Sequence, residues 1–311
     1  MNTRFAKTLA CLMLALFAHE PASAGRSDRA ALLERRLQGP DGSVMIVAHR
    51  GCWKGTSENS LDAIESCIAF GIDMVELDVR RTRDGVLVLM HDATVDRMTD
   101  GTGQVENLDW AYLQTLRLRD GAGRGSPLTD RRIPTFAEAL AAARGRILIN
   151  VDAKTDLNDT ILPFIDKYGD RRQVLFKQYD AADRLRVTSP WLKTVRFQPI
   201  IDEDQLSPAG KRLLDSFSGF TPVGYEIDIA HPEAIAGFAP LFRERCARFW
   251  VNSLNGTEAL HDRDALREPS AVWGRMIDDG VDTIQTDEPL ALKAFVAHRE
   301  PKTYVCSRQS Q

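Results

Sequence analysis

Two histidines, His49 and His91, bracket an alternating pair of acids, Glu76 and Asp78, and Arg50 follows the first histidine directly. An imidazole moves protons near neutral pH, carboxylate oxygens suit hard divalent cations, and a guanidinium matches the geometry of a phosphate. In one short stretch these residue types read as the parts of a metal-assisted phosphoryl-transfer site. Alternation along a strand puts Glu76 and Asp78 on one face. Two acids side by side among bases are better explained by a cation than by ion pairs with Arg80 and Arg81. Asp152 and Lys154 alternate in the same way on a later apolar run and form a second group. Glu58 is read as a partner of Arg50 or as a substrate or metal contact, and Asn59 as a helix cap or as such a contact.

The elements that must position these groups follow from periodicity. Residues 44–48 are a short continuous apolar run, the pattern of a strand buried on both faces, and deliver His49 at its carboxyl end. An amphipathic helix pattern then runs from Leu61 to Gly71, where glycine ends it, and the next strand spans 74–79. Similar runs recur at 146–151, 174–177, 194–198, 224–229, 248–253 and 283–286, with helical patterns between them. Eight alternating units over residues 44–300 predict a closed parallel (β/α)8 TIM barrel, with its site on the loops at the strand carboxyl ends; a doubly wound open sheet is the alternative.

Residues 86–92 break the alternation. They follow the second strand too closely for a parallel crossover, so they must return antiparallel through Asp84-Gly85 as a β-hairpin. A two-residue turn pairs Arg83 with Val86 and sets His91 opposite Asp78, whereas a slip of one residue turns it away. Residues 93–133 carry no buried-strand pattern. They are expected to form a small insertion over the barrel mouth with one helix near 108–116, and the five arginines between Arg117 and Arg132 to form a solvated surface. Residues 25–43 hold a polar helix packed outside the barrel, and 301–311 are a tail.

Residues 1–24 read as a signal peptide: Arg4 and Lys7, an apolar run to Ala18, then Ala22-Ser23-Ala24 before the cleavage site. The run is too short to span a bilayer, so a soluble periplasmic or secreted protein without stable membrane insertion is expected. The chain has 40 basic and 44 acidic residues; without Arg4, Lys7 and Glu20, 38 face 43, a balance of −5 that gives no footprint for nucleic acid. Cys52, Cys67, Cys246 and Cys306 remain in an exported chain, where disulfides persist; three pairings are open, and a catalytic role for Cys52 is disfavoured.

The order HRG at 49–51, EN at 58–59, ELD at 76–78, HD at 91–92 and GVDTIQTDEP from Gly280 resembles the glycerophosphodiester phosphodiesterase family over nearly all of the mature chain. The resemblance implies hydrolysis of a small-molecule phosphodiester, a deacylated phospholipid, to glycerol 3-phosphate and an alcohol. It implies His49 and His91 as the acid–base pair, with the role of each open, and a calcium or magnesium ion on Glu76, Asp78 and Asp152. Asp152 departs from the glutamate usual there, and Ser57 stands where the family has proline. Arg50, Lys154, Glu58 and Trp250 are implied substrate contacts, Trp250 being equally readable as core. The nucleophile is water or, as the family is thought to work, the glycerol 2-hydroxyl through a cyclic phosphate. A phospholipase acting on intact or lyso-phospholipids, as in toxin relatives with a similar site, and a binding protein with a dead site are the alternatives.

Overall fold

A computed structural model describes residues 24–155, 160–206, 210–255, 259–300 and Cys306; the expected leader, Ala24 apart, and most of the tail lie outside them. In chain order the strands are β1 (Met45–Ala48), β2 (Met74–Arg81), β3 (Leu87–Leu89), β4 (Arg117–Arg119), β5 (Leu128–Arg132), β6 (Leu148–Ala153), β7 (Val174–Gln178), β8 (Arg196–Asp202), β9 (Gly224–Asp228), β10 (Arg248–Asn252) and β11 (Thr283–Thr286). Eight of them are parallel and ordered β1-β11-β10-β9-β8-β7-β6-β2, and β1 also pairs with β2, so the sheet closes. This is the expected (β/α)8 barrel, and each of the eight expected runs contributes one barrel strand.

Alternation divides the side chains of every strand. On β2, Val75, Leu77 and Val79 pack outward against the helix layer, while Met74 joins Met45, Val47, Leu148, Leu175 and Trp250 inside. The N-terminal helix α1 (Ala24–Leu37) does more than lie on the surface: Leu33 and Leu37 enter this same interior cluster and seal the amino-terminal end of the barrel. Arg248, 1% exposed, donates to the Arg36 carbonyl at the end of α1, and Arg36 pairs with Asp73 at 2.8 Å. Disulfides join Cys52 to Cys67 and Cys246 to Cys306, which resolves the pairing that the sequence left open.

β3 returns antiparallel to β2, as expected, but in a different register. Val79 opposes Leu89, Arg80 opposes Val88 and Arg81 opposes Leu87, so Met90 rather than His91 faces Asp78. The loop has three residues, 83–85, closed by the Thr82 N–H to the Val86 carbonyl, with Gly85 at φ +88°; this left-handed residue belongs to a three-residue hairpin and not to the two-residue turn. The insertion also differs from expectation. It contains the two-stranded antiparallel sheet β4–β5, a 3-10 turn at Val105–Asn107 and a short helix at Trp110–Leu113. Val95, Met98, Val105, Leu113, Leu116, Leu118 and Ile133 form a small core with Val88 and Met90 of the hairpin.

Candidate active site

The ends of β1, β2, β6 and β7 bring the predicted residues together. Glu76 and Asp78 point inward from β2, each 1% exposed, and the register sets Asp78 directly beside Asp152 of β6. Ligand oxygens of Glu76, Asp78 and Asp152 all lie within 4.8 Å of one another. Lys154 contacts Asp152 at 2.8 Å and Asp78 at 3.2 Å. Lys177, on β7, lies 3.4 Å from both Glu76 and Asp152. Behind it, Glu226 accepts hydrogen bonds from Gln198 and Asn252 at 2.9 and 2.8 Å.

The loop after β1 is bent to serve this cluster. Arg50 and Gly51 both take left-handed conformations, φ +56° and +84°, and an added Cβ on Gly51 would sit 2.8 Å from the Ala63 Cβ. The turn aims the Arg50 N–H at Glu76, 3.0 Å away, and its guanidinium at Glu58, 3.1 Å away. Asn59, also left-handed at φ +53°, donates to the Asp78 carboxylate and accepts from the Asp78 N–H. It does not cap the following helix α2 (Leu61–Ala69); Ser60 does, accepting from Ala63 N–H.

Each histidine is held by a carboxylate through Nδ1, which leaves Nε2 as the nitrogen available for proton transfer. His49 Nδ1 lies 2.8 Å from Asp287, which also accepts from the Trp53 indole at 3.2 Å. Asp287 receives its place from Asp262, whose carboxylate accepts the Asp287 N–H and the Thr286 hydroxyl. His91 Nδ1 lies 2.8 Å from Asp92, and Arg80 donates twice to the His91 carbonyl. The chain leaves β3 after Leu89, so His91 reaches the neighbourhood of Asp78 despite the changed register. Arg97 bridges Asp92 and Glu58 at 2.7 and 2.6 Å.

Charge is unevenly shared. Burial, reinforced by Asp78, raises Glu76 above the usual carboxylate range. Burial pushes Asp78 the same way, but Lys154, His91 and Arg50 outweigh it and hold the group low. Lys177 loses hydration on burial, yet Glu226, Glu76 and Asp152 keep it charged far above the ordinary lysine value. The Arg97 hydrogen bond holds Asp92 well below its usual range, against the pull of burial. Burial pushes Asp262 up to about 6. Counted as ions, Glu76, Asp78, Asp152 and Glu226 against Lys154 and Lys177 leave two negative charges. An all-oxygen donor set with that balance fits one hard divalent cation.

Of the predicted site residues, Trp250 alone is not brought to the mouth. It is 1% exposed, packs in the lower interior with Met74 and Leu148, and donates to Asn252 at 2.9 Å. The tryptophan that stands at the mouth is Trp53. With His49, Arg50, Glu58 and Asp287, and with Ala122 and Leu254 at its edge, Trp53 lines a cleft of about 450 Å³. Sequence reasoning also passed over Asp92, Arg97, Lys177 and Asp287 as site residues. Asp92 and Asp287 lie within motifs already singled out, HD and TDEP, and Lys177 shares the inward parity of Leu175 on its strand. The arginines of the insertion are mostly engaged: Arg117 pairs with Asp100, and Arg131 with Asp62 and Asp120.

Comparison with known proteins gives a consistent answer. The sequence profile of the glycerophosphoryl diester phosphodiesterase family matches residues 49–210, and a profile for a domain of unknown function matches 197–296. A glycerophosphodiester phosphodiesterase of Caldanaerobacter subterraneus is 31% identical over 160 residues, 48% of this chain and 65% of the relative. Glycerophosphodiester phosphodiesterase 1 of Bos taurus is 37% identical over 130 residues, 42% of this chain and 37% of the relative. The chain thus spans less than two thirds of the length of these relatives. A crystal structure of a glycerophosphoryl diester phosphodiesterase from Parabacteroides distasonis superposes with a TM-score of 0.71 at 25% identity, covering 86% of this chain and 91% of the other. An Oleispira antarctica phosphodiesterase, solved in complex with the product sn-glycerol-3-phosphate, superposes with a TM-score of 0.60 at 19% identity, covering 81% and 96%.

Proposed function

The chain belongs to the glycerophosphoryl diester phosphodiesterase family, and from that premise we propose that it hydrolyses glycerophosphodiesters to glycerol 3-phosphate and an alcohol. One observation carries the reading. Two histidines, each held at Nδ1 by its own aspartate, flank a triad of carboxylates, two of them buried, at the mouth of a barrel. Cleavage of a phosphodiester needs a proton taken from the nucleophile and one given to the leaving oxygen, and two oriented imidazoles supply both, each worth ~10²–10⁴-fold. Asp287 and Asp92 fix the orientation and stabilise each ring while it carries two protons.

The phosphate is held by charge. Lys154, partly exposed beside Asp78 and Asp152, is free to turn toward an anion, and Arg50 presents its guanidinium next to the same carboxylates. These donors stabilise the charge that gathers on the phosphoryl oxygens in the transition state more than they stabilise the substrate. Glu76, Asp78 and Asp152 would hold a calcium or magnesium ion. Bound there, such an ion would neutralise phosphoryl charge and acidify an attached hydroxyl. The nucleophile is the glycerol 2-hydroxyl in this scheme, with a cyclic phosphate opened by water in a second step. Trp53, beside His49 and under the Lys54 ammonium, provides an apolar wall for the organic part of the substrate.

Deacylated substrates are favoured over intact lipids. The seven exposed large apolar side chains among the described residues, Leu32, Phe70, Tyr112, Tyr179, Val187, Leu266 and Leu290, lie on seven different elements or loops and make up no continuous apolar segment. No helix among the described residues is long and apolar enough to cross a membrane. The leader-like segment at 1–24 and the two disulfides support export to an oxidising compartment. The test is release of glycerol 3-phosphate from glycerophosphocholine by the purified protein, before and after a chelator, with calcium or magnesium then restored. Activity that stops with chelator and returns with one ion supports the reading and names the metal. Turnover of lysophospholipid in place of glycerophosphocholine moves it to a phospholipase.

A further inference from the structure

Two ammonium groups touch the carboxylate triad, and they are not equivalent. Lys154 sits at the mouth with its side chain 23% exposed, so it can leave the acids for solvent or an anion. Lys177 is 7% exposed and rises from the inward face of β7 two residues above Leu175, which lies in the sealed lower cluster. Its contacts are Glu76 and Asp152 on one side, and on the other β8 sets Gln198 beside it, with Glu226 of β9 beyond. Glu226 in turn is pinned from both flanks by the Gln198 and Asn252 amides.

The triad oxygens are also spoken for. Glu76 Oε1 and Asp152 Oδ2 each face Lys177 Nζ at 3.4 Å, while Glu76 Oε2 accepts the Arg50 N–H and Asp78 Oδ2 accepts from Asn59. A cation entering the triad therefore meets two carboxylates that a resident ammonium already faces. Like charges at such range repel strongly where water is excluded. Glu226 is the next acid on the side away from the triad, held at 2.9 Å by Gln198, the register neighbour of Lys177, and it offers the ammonium a place to retreat.

We propose that Lys177 is a built-in competitor for the cation site, holding its affinity below what Glu76, Asp78 and Asp152 would reach alone, and that Glu226 draws Lys177 back so that a divalent ion can enter. The proposal rests on the cation reading of the triad given above and deepens it: cation affinity is set from beneath the site by a buried lysine and by the glutamate one strand beyond its neighbour. A weak, exchangeable ion follows, rather than one locked in on folding.

The two partners must then act with opposite signs. Lys177→Met should tighten divalent binding at least tenfold, and Glu226→Gln should weaken it about tenfold, because the ammonium loses its retreat and leans on the triad. The double variant Lys177→Met/Glu226→Gln keeps the net charge of the interior unchanged and should still bind more tightly than the unsubstituted protein. The measurement is calorimetric titration of folded protein with calcium chloride and, separately, magnesium chloride, with circular dichroism confirming the fold of each variant. A purely architectural role for the pair would weaken binding in both single variants and overturn the proposal. Unchanged affinity in Lys177→Met, or in the double variant where the single one does not fold, overturns it as well. An unsubstituted protein that takes up neither ion overturns the cation reading itself, a result distinct from the other two.

Discussion

Inside the barrel, the amino-terminal ends of the strands contribute Met45, Val47, Met74, Leu148, Leu175 and Trp250, and Leu33 and Leu37 of α1 close the bottom. Two or four residues further along the same strands, the inward positions hold His49, Glu76, Asp78, Asn150, Asp152, Lys177 and Asn252. The lower half is apolar and buried. In the upper half, like charges are crowded, and Asn150 Nδ2 and Oδ1 and Gln285 Oε1 are buried with no hydrogen-bond partner among the described residues. Buried polar atoms in that state cost stability, on the order of 1–3 kcal/mol each. One half of the barrel thus holds the fold together while the other carries an electrostatic cost for a chemical purpose, and the division falls along the barrel axis.

The largest effect that can test this division is on turnover. His49→Asn or His91→Asn should lower kcat for glycerophosphocholine hydrolysis by ~10²–10⁴-fold and leave the urea midpoint nearly unchanged; a midpoint that collapses would move these residues into the structural half. In the lower half, Leu33→Ala should cost about 2–5 kcal/mol in urea unfolding, as the loss of a buried leucine does, with kcat per folded molecule within about twofold. A large fall in kcat there would erase the boundary.

A smaller effect is expected from pH. Burial holds Asp262 protonated up to about 6, against an ordinary value of 3.8, so between these values the folded chain binds more protons than the unfolded one. Its contribution to stability is complete below about pH 4 and is lost as pH rises through 6. Asp262→Asn should therefore flatten the decline in stability between pH 4 and 7 by about 1–2 kcal/mol, seen in unfolding midpoints across that range. Least affected should be the outer surface. Glu65→Ala removes the exposed partner of Arg146 and should change stability by less than about 1 kcal/mol and activity not at all.

The sequence showed the eight strands because parallel strands buried on both faces are continuous apolar runs, and it showed the histidines and acids because they stand at the ends of those runs. What it hid has physical causes. β4 and β5 read RLR and LTDRR, with mostly exposed or half-exposed side chains, so no apolar alternation marks them. The hairpin register hinged on whether two or three residues turn, and Asp84-Gly85 suits either. Trp250 sits two residues before the end of its strand, where the inward side faces the sealed half, and residue type alone cannot separate that from the mouth. Lys177 was absorbed into an apolar run, although its parity with Leu175 was visible. Asn59 looked like a cap because it precedes a helix, but its left-handed backbone turns the amide onto Asp78 instead.

Arg97 has a bearing on how this protein can be rebuilt. Its guanidinium reaches Asp92, Glu58 and the Ala122 carbonyl together, and Glu58 in turn meets Arg50. The insertion is for that reason not an interchangeable accessory. A chimera that takes the segment from a relative without matching Arg97, Asp92 and Glu58 would leave the buried Glu58 with Arg50 as its remaining partner and Asp92 without the guanidinium that holds it beside His91. The natural unit of exchange runs across the hairpin and both flanks of the mouth, and loop grafting here succeeds or fails with those three residues as a set.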